Sequence, residues 1–171
     1  MLSPLHKALL ACTLFAGFAV AAFLFGKEFR LPLFIYYCLL VFNTFFSIRV
    51  LSSITPPHAV QAVFDAVLVF IYAALAFAAD STFLFSAVSA TLFVVATLKY
   101  VHLKNIVQVE LRLLRRKIVL NILSALVSVT VFAIALAGYA DIAAWILCGV
   151  FGISNFYLLA INPMYRTDQP R

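Results

Sequence analysis

Six separate stretches of the chain run for close to a bilayer's width with almost no charge: Ala8 to Gly26, Leu33 to Ile54, Val60 to Ala79, Thr82 to Val101, Ile118 to Ala137 and Ile142 to Ile161. A helix of about 20 apolar residues spans the roughly 30 Å hydrocarbon core. Lipid offers no partner to backbone N–H and C=O groups, so each segment must satisfy its own. A barrel is excluded because its strands would alternate apolar and polar residues over about ten positions, whereas these runs are continuous. The expected fold is all-α, a polytopic membrane helix bundle with six transmembrane helices. Residues 1–163 form a single transmembrane domain and 164–171 a short cytoplasmic tail.

Composition removes the alternatives. Apolar and aromatic residues make up 66% of the 171 positions and charged residues 11%, against about 45–50% and about 25% in soluble domains. Eighteen phenylalanines contradict disorder, and three isolated cysteines contradict a disulfide scaffold. The breaks between runs have turn chemistry: Lys27, Glu28, Arg30 and Pro32; Thr55, Pro56, Pro57 and His58; Asp80 and Ser81; Gly138 to Asp141. Asp80 with Ser81, and Asp141, suit N-caps for the helices that follow. Gly149 and Gly152 suit close helix packing. Ala19-Val20-Ala21 resembles a signal-cleavage site, but the apolar run continues through Phe25 and outlasts the roughly 7–15 residues of a signal core, so the first span is expected to be retained.

Basic residues set the orientation, since short positively charged loops stay in the cytoplasm. One side collects Lys7, Arg49, Lys99, Lys104, Arg112, Arg115, Arg116, Lys117, Arg166 and Arg171; the other has only Lys27 and Arg30. N-terminus and C-terminus are both expected to be cytoplasmic. The net charge of +6 is thus first a topological signal. Nucleic acid is excluded as a partner because these residues lie at a membrane edge with no domain to present them. Short loops and the lack of an N-x-S/T sequon favour a bacterial plasma membrane.

The longest connection, Leu103 to Lys117, fits a helix that extends the fourth span or lies in the interface. Leu103, Val107, Leu111, Leu114 and Ile118 would then form one apolar stripe. Within it, Arg112, Arg115, Arg116 and Lys117 are candidates for contact with anionic lipid headgroups, at about 1 kcal/mol per residue. The same cluster also reads as the positive-inside signal alone.

Polar residues inside the spans are few, and ionisable ones are costly enough there to be paired or functional. Asp65, Lys99 and Arg49 fall at similar depths in the cytoplasmic half, with Asn43, Asn121 and Asn155 in the same half. Two readings of this set stand. One is a cytoplasm-facing polar pocket for an ion or small solute, with Asp65 as the binding carboxylate and Lys99 or Arg49 as counter-charge. The other is structural glue, an ion pair plus interhelical bonds worth about 1 kcal/mol each. Catalytic signatures are missing: no H-E-x-x-H, no G-x-S-x-G and no P-loop occur, so an enzyme is not expected. Cys12, Cys38 and Cys148 fall in different spans, and His6, His58 and His102 lie near the cytoplasmic edge, so neither metal nor cofactor is expected. No proline interrupts a span as in broken-helix carriers.

The function class that follows is a small membrane protein, oligomeric, that binds or passes an ion or small solute as a transport or channel protein. The alternative is a non-transporting accessory, assembly or sensory subunit that engages a membrane-protein partner.

Overall fold

The computed structural model describes residues 3–56, 58–107 and 110–161, and among them every regular element is helical. The helices are α1 (Pro4–Leu24), α2 (Leu31–Ile54), α3 (Ala59–Phe77), α4 (Thr82–Ile106), α5 (Leu111–Leu136) and α6 (Ala140–Phe156), the last running into a π-helical turn at Tyr157–Ile161. All six are long and apolar enough to cross a membrane. Their outward faces are apolar as well, with Leu10, Phe23, Phe70 and Ile153 each more than 60% exposed. Such an exterior is compatible with lipid contact in a membrane bundle. The tail at 164–171, with Arg166 and Arg171, lies outside the described residues.

Local chemistry starts and stops these helices. Ser3 caps α1 by accepting from the His6 N–H at 3.3 Å, with Pro4 pre-set at the first helical position. Ser81 caps α4, as its hydroxyl accepts from Leu84 N–H. α1 and α5 end in the same way. Gly26 and Gly138 take positive φ values of 76° and 94°. The Gly26 and Lys27 N–H groups donate to Phe23 and Ala22 carbonyls, and those of Gly138 and Tyr139 to Ala135 and Ile134. This is the Schellman arrangement, in which a left-handed glycine turns the chain back onto orphan carbonyls.

Two local expectations are corrected. Asp141 does not cap α6; it lies within the first turn, behind Tyr139. Nor is Leu103 to Lys117 one helix. α4 ends at Ile106, and α5 begins after Glu110, which adopts a left-handed φ of 56°; Gln108 and Val109 lie outside the described residues. Breaking the helix lets Leu103, Val107, Leu113 and Leu114 converge with Leu51 and Tyr100 in a small core. One straight helix presents Leu103 and Leu113 on different faces and would bury only one of them.

Each helix packs on its successor within a hairpin, yet the hairpins do not follow one another round the molecule. The helices close a ring in the order α1, α2, α6, α5, α4, α3, with α1 set between α2 and α3, and α4 also touching α6 across the ring. The end bearing the three tight turns is filled. Tyr36, Phe85, Leu33, Leu75 and Leu147 are nearly inaccessible there, and Ala22, Ala143 and Ala144 allow close backbone approach. Tyr36 meets Phe85 edge-on at 5.4 Å and Phe151 at 4.4 Å. Its hydroxyl bonds Ser89 at 2.8 Å, and Ser89 bonds Ser128 at 3.1 Å, which ties α2, α4 and α5 together.

Charges lock the three turns at that end. Lys27 Nζ lies 2.7 Å from Asp80 Oδ2, Arg30 Nη1 lies 2.5 Å from Asp141, and Arg30 Nε donates to the Asp80 carbonyl at 3.1 Å. The backbone N–H of Arg30 also donates to Ala79 O. The two basic residues of the sparsely charged side are therefore pinned to that side's aspartates.

Candidate functional site

At the opposite end, where α2 joins α3 and α4 joins α5, the ring opens into a cavity of about 770 Å³. Its walls come from five helices, each contributing one face at helical spacing. α3 supplies Gln61, Asp65, Leu68 and Tyr72; α4 supplies Leu92, Ala96, Lys99 and Leu103; α5 supplies Lys117 and Asn121. Steps of three, four and seven along a helix return to the same side, so continuous helices are enough to build the site. α1 adds Lys7, Ala11 and Phe15, and α2 adds Asn43, Ser47 and Ser52 among others.

The two ends of the cavity differ in their lining. Gln61, Lys7 and Lys117 belong to helix segments near the open end, whereas Phe15, Tyr72, Leu92 and Phe93 close the cavity towards the packed half. From Gln61 to Tyr72 the eleven positions of α3 correspond to about 16 Å of helix. Phe15 and Tyr72 stack with ring centroids 4.0 Å apart and form the aromatic floor. The Tyr72 hydroxyl is engaged by Thr44, and that of Tyr100 by Ser47 at 3.0 Å.

The structure brings together some of the residues singled out from sequence and separates others. Asp65 and Lys99 form a salt bridge on the cavity wall, and Asn43 and Asn121 line the same space. Arg49 is exposed on α2 and is not part of the lining; the contact with Asp65 is made by Lys99. Asn155 is buried on α6 and is not among the lining residues, with its amide donating to Phe151 O at 2.9 Å. Arg112, Arg115 and Arg116 are exposed, but Lys117 does not join them: it is 5% exposed and faces the cavity.

Gln61 was not singled out by sequence reasoning. It is 4% exposed, and both its amide nitrogen and its amide oxygen are buried without a hydrogen-bond partner. The Asn121 amide nitrogen and the Ser52 hydroxyl, also on the cavity wall, are unpartnered too. A buried amide left unpaired costs about 1–3 kcal/mol, so several around one cavity mark a place where something else supplies the bonds. The spacing held a signal for Gln61, since it sits four residues before Asp65 and hence on the same helix face. The same spacing joins Lys117 to Asn121.

Among the described residues that line the cavity are three lysines, Lys7, Lys99 and Lys117, and one carboxylate, Asp65, which is already bonded to Lys99. No family model, no curated protein and no solved structure matches the chain.

Proposed function

We propose that this protein binds, and passes, a small solute through the cavity, which opens to the cytoplasm. The observation that carries the reading is the cavity itself, set at one end of a six-helix ring and lined by unpartnered buried amides beside the Asp65–Lys99 pair. Its volume lies within the roughly 300–1,000 Å³ usual for small-molecule sites. Among the described residues Lys7, Arg49, Lys99, Lys104, Arg112, Arg115, Arg116 and Lys117 belong to the cavity end and only Lys27 and Arg30 to the other, which supports a cytoplasmic mouth. A single chain encloses the cavity, so binding needs no second copy; an oligomer enters through the exposed apolar helix faces. Asp65 with Lys99 acts as the charged element of the wall, and Asn43 and Asn121 as hydrogen-bonding elements. Arg49 and Asn155 have no part in it.

The test uses purified protein in liposomes. Solute uptake or binding that responds to replacement of Asp65 by Asn, with the fold intact, supports the reading. An accessory or sensory subunit is favoured instead if no flux or binding is found while a membrane partner is retained through the exposed Arg112, Arg115 and Arg116. These three arginines are also placed to meet anionic lipid headgroups.

A further inference from the structure

The lining of the cavity specifies the chemistry of its ligand more closely than a polar solute in general. Its only carboxylate among the described residues is already bonded to Lys99, so a cationic ligand would have to displace a lysine from Asp65. Among the described residues, donors outnumber acceptors in the unpartnered groups of the wall, where the Gln61 amide oxygen is the one pure acceptor and the Ser52 hydroxyl can do either. The Asn121 and Gln61 amide nitrogens have unused N–H groups, and the basic Lys117 side chain lies on the same wall, one helical turn before Asn121. Towards the packed half Phe15, Tyr72, Leu92 and Phe93 line the cavity, with Thr44 already bonded to the Tyr72 hydroxyl. Buried N–H donors around a cation recognise an anionic oxygen group, and an aromatic floor recognises a flat or extended apolar body.

We propose that the cavity takes an amphiphilic monoanion, an organic acid whose acidic head meets Lys117, Asn121 and Gln61 while its apolar body lies on the Phe15–Tyr72 floor. The inference rests on the cavity being a solute site, as proposed above, and adds the class of solute. Two sources present this chemistry: a water-soluble organic acid and an anionic membrane lipid. Inorganic anions lack the apolar half.

Three isosteric probes test it on the full chain in phosphatidylcholine nanodiscs: 2-naphthoate, 2-naphthylmethanol and 2-naphthylmethylammonium, each corrected for partition into empty discs. The expected result is saturable binding of 2-naphthoate, with the alcohol and the ammonium weaker by about tenfold or more. Lys117→Met should weaken 2-naphthoate binding by about tenfold and Lys117→Arg by no more than about threefold. Gln61→Leu serves as a second probe of the same donor set should Lys117→Met not fold. Equal or tighter binding of the ammonium or the alcohol overturns the anion assignment while leaving the solute cavity in place. So does unchanged 2-naphthoate binding in every donor variant that folds. If none of the three binds, the solute cavity falls too. Inorganic phosphate competing as well as 2-naphthoate would overturn the amphiphilic part. Displacement of 2-naphthoate by phosphatidylglycerol in the discs supports the lipid source, and no displacement supports the soluble acid.

Discussion

Asp65 and Lys99 form a pair whose two sides are unequal. The Asp65 side chain is 62% exposed and that of Lys99 18%, so losing the carboxylate strands the less accessible charge. Asp65→Asn is therefore expected to destabilise the protein, and Lys99→Gln in addition should restore part of the loss, with a coupling of about 1 kcal/mol in a double-mutant cycle. Additive losses, measured by unfolding in detergent, would remove the ion-pair model. Arg49→Gln should show no coupling to Asp65→Asn, because Asp65 is paired with Lys99 and Arg49 is not in the cavity lining. In the packed half, Tyr36→Phe removes the hydroxyl that links α2 to Ser89 on α4. Ser89 keeps Ser128, and Ser128 still donates to Ser124 O. The expected cost is thus confined to about 1 kcal/mol, the worth of one hydrogen bond.

At the level of the element, glycines matter where the backbone is left-handed and not where a helix merely lacks bulk. Gly138→Ala and Gly26→Ala place a Cβ on a positive-φ residue and should each cost about 1–2 kcal/mol, measurable as a lower unfolding temperature in detergent. Gly149→Ala should be neutral or stabilising, since a Cβ there meets nothing within 4 Å and alanine favours the helix. Gly152 comes nearer to the packing role its neighbours suggest, with Leu39 at 3.6 Å, an ordinary contact that tolerates alanine. Arg30 joins the turns to one another, because its guanidinium reaches both the second and the third turn. Arg30→Met should loosen that end and raise amide exchange at Asp80 and Asp141 together.

For the whole molecule, orientation and helix order are separable questions. On a background without Cys12, Cys38 and Cys148, a thiol reagent that cannot cross the membrane should modify Cys placed at Glu28 in intact cells and miss Cys placed at Asn105. The reverse pattern would invert the topology and turn the cavity outward. Helix order is tested by cross-linking. Cysteines at Phe15 on α1 and Tyr72 on α3 should be joined by a short bifunctional thiol reagent, because α1 sits between α2 and α3 in the ring. A ring closed in chain order would put α2 against α3 instead.

Hydropathy alone determined that the described chain is helical, that it has six long apolar helices, and where four of the five breaks fall to within a few residues, because each helix satisfies its own backbone without help from neighbours. Asp65 and Lys99 were legible as a costly pair at matched depth for a related reason: depth is counted along one helix at a time. Which partner Asp65 takes was not legible, because Arg49 and Lys99 differ in azimuth, and azimuth is set by packing between helices. The same limit explains Lys117, which reads as one of four clustered basic residues yet faces the cavity while Arg112, Arg115 and Arg116 face out. Gln61 became visible only when five helices enclosed it and left its amide without a partner. Ring order, the break at Val107 and the cavity itself belong to the tertiary structure, since each depends on contacts between segments far apart in the chain, and local spacing does not encode which apolar faces meet.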